Sequence, residues 1–197
     1  MSRRNRHGLQ RRQNRRNLRK TFLIVCEGSK TEPNYFEGFR VPREIYDVKG
    51  MGDNTIRLVR EAIKLKEQGN YDQVWVVMDK DDFPVDHFNG AIEMARAKNI
   101  CVAYSNEAFE LWYLLHFDYH DTAVSRRTYR ERLSKRLGFS YEKNNPRMYE
   151  LLEDRQPVAM QNARRLLDVY SGNSRPAYDN PSTTVHLLVE QLREASV

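Results

Sequence analysis

Three short apolar runs in this sequence end in acidic or polar residues. The run 21-TFLIVC-26 meets Glu27, 73-QVWVVM-78 meets 79-DKDD-82, and 100-ICVAY-104 meets Ser105-Asn106-Glu107. Asp79 and Asp81 stand two apart, so an extended chain puts both carboxylates on one side while Asp82 points elsewhere. A pair at that spacing can share a hard cation. Mg²⁺ suits it best, because it takes oxygen ligands, keeps several waters and binds through a few carboxylates plus a substrate phosphate. Without a cation, clustered carboxylates repel one another and shift each other's pKa. Glu27, Asp79, Asp81 and Glu107 are therefore the candidate metal ligands, with Mn²⁺ an alternative to Mg²⁺. The plain alternative is that these acids end strands and cap helices, since D-x-D by itself is short and common.

Lys30 and Lys80 flank the acids as candidate electrostatic helpers. A solvated lysine at a helix start is an equal reading of Lys30. The stretch 28-GSKT-31 looks like the tail of a phosphate-binding loop, but that loop needs G-x-x-x-x-G-K-[ST]. Ser29 precedes Lys30 and no glycine stands five residues before it, so the loop fails at both glycines. His116 and His120 are four apart, as a zinc pair on a helix would be, yet no HExxH glutamate or third ligand accompanies them. No G-x-S-x-G elbow is present, and neither Cys26 nor Cys101 lies in an activating setting. Both thiols fall in apolar runs and read as reduced core residues of a cytoplasmic protein.

The elements that must carry these acids alternate. Residues 21–26 form a continuous apolar run typical of a strand buried on both faces. A helix is predicted over 31–40, a weaker strand over 44–48, and a helix capped by Asn54 that ends near Gly69. A second buried strand, 73–78, is closed off by Pro84. A helix over 87–97, a strand over 100–104 and an apolar helix over 105–117, with a Ser/Asn cap, complete the pattern. Trp112, Tyr113, Leu114, Leu115 and Phe117 continue that helix as core. Alternation of this kind predicts an α/β fold with a mainly parallel sheet of about four strands flanked by helices. In such a sheet ligands bind beyond the carboxyl ends of the strands, where the acids would meet. Beyond residue 120 the pattern turns helical, with helices expected over 126–137, 147–153, 156–170 and 182–194. The last would start at Pro181-Ser182-Thr183-Thr184. The expected organisation is an arm at 1–20, an α/β domain at 21–120 and a helical extension packed on it at 121–197.

The charge is split. The chain of 197 residues has a net charge of +6, but residues 1–20 carry eight Arg, one Lys and no acid. The arm of Arg3, Arg4, Arg6, Arg11, Arg12, Arg15, Arg16, Arg19 and Lys20 suits nucleic acid, because each neutralised phosphate releases a counterion. A solvated, flexible tail is the bland reading. The rest of the chain is mildly acidic. No apolar run approaches the roughly 20 residues that span a bilayer. The arginines have no apolar stretch behind them, so no secretory signal and no membrane partner are expected. A phospho-receiver domain also places acids after its first and third strands, but it wants paired acids at the first site and a lysine after a fifth strand. Glu27 stands alone.

A glutamate after the first strand and D-x-D after the third resemble the Toprim domain of topoisomerases, primases and OLD-type nucleases. The closer resemblance is to the RloB-like family. It lies in 23-LIVCEGSKTEPNYF-36, 74-VWVVMDKDDF-83, 104-YSNEAFELWYLLHF-117 and 180-NPSTTVHLLVEQL-192. That resemblance implies a Toprim-like sheet, Mg²⁺-dependent chemistry on phosphodiesters, and a role in bacterial anti-phage defence. It further implies an association with restriction–modification or abortive-infection systems and an ATPase partner. Carried across, Glu27 matches the family's first acid, Asp79 and Asp81 its D-x-D, and Glu107 the acid after the fourth strand. Hydrolysis of DNA or RNA, tRNA included, is the simplest chemistry implied. Glu27, Asp79 and Asp81 would be catalytic. A non-catalytic module that binds nucleic acid, a nucleotide signal or a partner ATPase is the alternative, and homo-oligomerisation is left open.

Overall fold

A computed structural model describes residues 20–47, 55–80 and 84–196. Asp81, the cap residue Asn54 and the arm residues Arg3 to Arg19 lie outside the described residues; Lys20 lies inside them and is exposed.

The strands are β1 (Phe22–Cys26), β2 (Arg43–Asp47), β3 (Gln73–Asp79), β4 (Cys101–Asn106) and β5 (Ser182–Thr183). The helices are α1 (Thr31–Phe36), α2 (Thr55–Gln68), α3 (Val85–Ala97), α4 (Glu110–Leu115), α5 (Arg126–Leu137), α6 (Met148–Leu152), α7 (Gln156–Asp168) and α8 (Val185–Ala195). The sheet order is β2-β1-β3-β4-β5. The first three pairings are parallel, and β5 runs antiparallel to β4. The fold is thus α/β, with five strands rather than four.

All five side chains of β1 are buried, and its pleat splits them between two cores. Phe22, Ile24 and Cys26 join Trp75, Val77, the aromatic residues of α4, and α7 and α8. Leu23 and Val25 join Val74, Val76, Met78, Phe88 and the apolar faces of α2 and α3. A strand covered on both sides has no use for alternation, which explains the unbroken apolar run. At the centre of the first core, the Tyr35 ring packs among Phe36, Phe39, Phe109, Trp112, Tyr113 and Tyr149, mostly edge to face. The strongly apolar segment after β4 is core, as its pattern implied.

Three expectations are corrected. Ser105 and Asn106 do not cap a helix: they extend β4, Ser105 pairing with Asp79 on one side and Thr183 on the other. Ser105 Oγ also lies 3.0 Å from Thr183 Oγ1. Partners distant in sequence outweigh local capping preference here, and α4 begins only at Glu110. Ser182 and Thr183 form β5 rather than opening the last helix, which starts at Val185. Cys101 is exposed at the start of β4, where it lines an open hollow with Trp75, Val102 and Leu187; Cys26 is buried. The first helix is also shorter than expected, ending at Phe36.

Candidate active site

Parallel pairing brings the carboxyl ends of β1, β3 and β4 to one edge. Cys26 is in register with Val77, and Asp79 with Ser105. Glu27 extends the β1 ladder by donating its N–H to the Val77 carbonyl at 3.0 Å. Its Oε2 then accepts the N–H of Asp79 at 3.1 Å. The two acids, 52 residues apart in sequence, are thereby locked together by backbone.

They face a cleft of about 310 Å³ lined also by Gly28, Ser29, Lys30, Thr31, Glu32, Phe109, Glu110, Arg126 and Lys143. Glu32 and Glu110 are buried, at 5% and 1% exposure. Four carboxylates therefore meet here: of the three acids expected among the described residues, Glu27 and Asp79 line the cleft and Glu107 does not, while Glu32 and Glu110 were not expected. Lys30 is exposed at the rim. Lys80 is outside the lining, with its N–H bound to the Ser105 carbonyl at 2.8 Å. Glu107 is outside it too. Its Oε1 lies 3.9 Å from Arg126 Nε, so it reaches the cleft only through that arginine.

The carboxyl of Asp79 is held well above its ordinary range, first by burial and then by the charges of Glu32, Glu110 and Glu27; Arg126 opposes the rise. Asp79 Oδ1 is buried and makes no hydrogen bond among the described residues. Burial also raises Glu32 to about 7, with Glu110 and Glu27 adding to the shift against its backbone hydrogen bond and Lys143. Cations approach Glu110 loosely: Lys143 Nζ at 3.7 Å and Arg130 Nε at 3.9 Å from Oε1. Lys143 is tethered in turn, because its carbonyl accepts Thr31 Oγ1–H at 3.0 Å.

These residues fit a hard divalent cation. The donors are all oxygen, one buried carboxylate oxygen is orphaned among the described residues, and the carboxyls of Asp79 and Glu32 are raised in the sense that a bound cation would reverse. Gly28 leaves room for this arrangement, since a Cβ there would overlap the Glu32 carboxylate. No group of three or more Asp, Glu, His or Cys side chains is arranged as a metal cage among the described residues. Mg²⁺ does not require one, because water and substrate phosphate complete its octahedron.

The two histidines weighed as a zinc pair do not form one. His116 Nδ1–H donates to the Trp112 carbonyl at 2.9 Å, and burial lowers its pKa to about 4. His120 lies 2.9 Å from Arg132, so the pair does not share a metal. Gly28 to Lys30 form no phosphate-cradling loop; α1 follows them with only six residues.

The sequence reading missed Glu32, Glu110, Arg126 and Lys143. Glu110 carried a usable signal, being one acid inside 108-AFELWYLL-115, an otherwise apolar helix. A charge at such a position must be paired or functional. Glu32 and Lys143 carried none, because only packing turns them to the cleft.

A family model described as RloB-like protein matches residues 22–192. No curated protein and no solved structure matches the chain.

Proposed function

The chain belongs to the RloB-like family, and on that premise we propose that it is a divalent-metal-dependent nuclease hydrolysing phosphodiester bonds of DNA or RNA. The observation that carries this reading is Asp79. Its backbone N–H is held by the Glu27 carboxylate at the carboxyl edge of a parallel sheet, and its own carboxyl, orphaned at Oδ1 among the described residues, is raised well above the ordinary range by burial and by neighbouring acids.

Asp79 and Glu27, with Asp81 following in sequence, would hold Mg²⁺ or Mn²⁺; Glu107 is a more distant contributor. The chemistry supplied by a cation held there would be polarisation of the phosphoryl group and acidification of a bound water. The chain's own residues do the rest. Lys30, Arg126 and Lys143 at the rim neutralise substrate phosphates and orient the scissile bond. Glu27, held by the Asp79 N–H, either completes the metal shell or takes a proton from attacking water. Glu32, which keeps its proton to about pH 7, is placed to exchange one at its carboxyl. The resemblance to the family supports a role in bacterial anti-phage defence beside an ATPase partner, with the basic arm recruiting nucleic acid without choosing a sequence.

A second reading has a specific observation behind it. The described acids form no complete metal cage, and Glu107 and Glu110 already face Arg126, Arg130 and Lys143. A module that binds nucleic acid, a nucleotide signal or an ATPase without turnover fits this too.

One experiment separates them. A panel of DNA and tRNA is incubated with the protein and Mg²⁺ or Mn²⁺, comparing wild type with Asp79→Asn and Glu27→Gln. Nuclease chemistry predicts cleavage that EDTA abolishes and that each variant lowers by about 100-fold or more. Unchanged cleavage in both variants would overturn the site. Binding without cleavage by wild type, with and without its ATPase, would favour the module.

A further inference from the structure

The helix α5 reads RRTYRERLSKRL, with six cations and one acid in twelve residues. Only Tyr129 and Leu133 are buried, and this i, i+4 pair pins the helix to the core. The cations fall on both flanks of that stripe. On one flank, Arg126 lines the acidic cleft and Arg130 approaches Glu110. On the other, Arg132, Lys135 and Arg136 line a second hollow of about 360 Å³ with Leu114, Asp118, Tyr119 and His120. Arg136 is paired with Asp118 at 2.6 Å, while Arg132 leans on the His120 ring, whose pKa is lowered by burial and by the Arg132 charge. Arg132, Lys135 and Arg136 are all exposed.

A helix this basic would repel itself in isolation. The single Glu131 offsets only Arg127, at 2.8 Å. Retaining such a ridge beside a cleft of four carboxylates is explained by a polyanion that spans both. We infer that the Arg132–Lys135–Arg136 hollow is an exosite for the phosphate backbone of a nucleic acid whose scissile bond lies in the acidic cleft. This rests on the nuclease reading for the role of the cleft, and extends the substrate surface beyond the rim cations Lys30, Arg126 and Lys143. At 1.5 Å per residue, the ten-residue step from Arg126 to Arg136 spans about 15 Å, on the order of four base-pair steps along a duplex axis at about 3.4 Å each.

The test measures binding of a fluorescein-labelled single-stranded RNA of about 20 nucleotides by anisotropy across a salt series. EDTA is present throughout, so binding is read whether or not the chain can cleave. The full-length variant Arg132→Gln/Lys135→Gln/Arg136→Gln is compared with Arg60→Gln/Lys64→Gln/Arg96→Gln, which removes the same charge from exposed positions of α2 and α3 on the other face of the sheet. The exosite variant is expected to bind ~10-fold more weakly and to lower the salt slope by about 2, while the control stays near wild type. Equal losses in both variants, or no binding by wild type, overturn the inference.

Because the basic arm also attracts RNA, acetylation of lysines with and without RNA is a second readout. Lys135 should be protected and Lys64 should not; equal reactivity overturns the exosite. If the protein cleaves RNA in Mg²⁺ while the triple variant binds like wild type, the exosite falls and the nuclease stands. If the triple variant loses binding and nothing is cleaved, the nuclease falls and the hollow stands as a binding site for the phosphate backbone alone.

Discussion

Asp79 Oδ1 is buried without a hydrogen-bond partner among the described residues, and an unsatisfied buried polar atom costs about 1–3 kcal/mol. Asp79→Asn keeps that buried polar position but removes a carboxyl that three others crowd, so the metal-free variant is expected to match wild type in urea unfolding at low pH and to exceed it as pH rises, even as metal-dependent cleavage is lost. Glu32 makes a pH prediction. Its carboxyl is raised from 4.5 to about 7 in the folded chain. The native state thus binds the extra proton between those values, and stability falls as pH rises. The contribution is fully present below 4.5 and lost through 7, on the order of 3 kcal/mol in all. In EDTA, wild type should lose stability across this window relative to Glu32→Gln, and a flat difference would show that Glu32 titrates normally. Added Mg²⁺ should reverse the loss and release protons in a weakly buffered titration.

At the scale of the element, α5 is fixed by its two ends. Ser125 Oγ accepts the Thr128 N–H at 3.3 Å as the N-cap, and Gly138 closes the helix in the left-handed region at φ 79°. Ser125→Ala should cost about 1 kcal/mol, and Gly138→Ala a similar amount, because a Cβ is strained at that φ. Both are checked by chemical denaturation. Neither substitution touches the cleft, but fraying of α5 should loosen Arg126 and Arg130 and weaken RNA binding with them. The α5 boundaries were legible in sequence as 126–137 because cap, stripe and glycine agree locally. The start of α4 was not, because Ser105 and Asn106 carry capping chemistry that strand pairing overrides.

The molecule as a whole has one sheet with a core on each face, and the segment beyond residue 120 builds much of one of them. Tyr129, Leu133, Leu152, Leu166, Leu188 and Leu192 are all buried with Phe22, Ile24 and Trp112. Even β5, at the far end of the chain, pairs with β4. A chain cut at residue 120 would leave that apolar face in water. It is expected to be insoluble or to show no cooperative unfolding by circular dichroism, whereas Leu188→Ala in the full chain should unfold cooperatively with a loss of about 2–5 kcal/mol. None of the helices among the described residues is long and apolar enough to cross a membrane.

The sequence alone determined the α/β class and the strands that carry Glu27 and Asp79. Hydrophobic runs and their breaks are local, and burial on two faces leaves an unmistakable pattern. The family was legible for the same reason, in motifs that lie within single segments. Only the tertiary structure decided which acids share a cleft. Glu32 and Glu110 belong there because α1 and α4 pack against one sheet edge, while Glu107 turns to Arg126. Side-chain direction at the end of an element depends on what it packs against, and at this cleft the partners stand from 19 to 112 positions away.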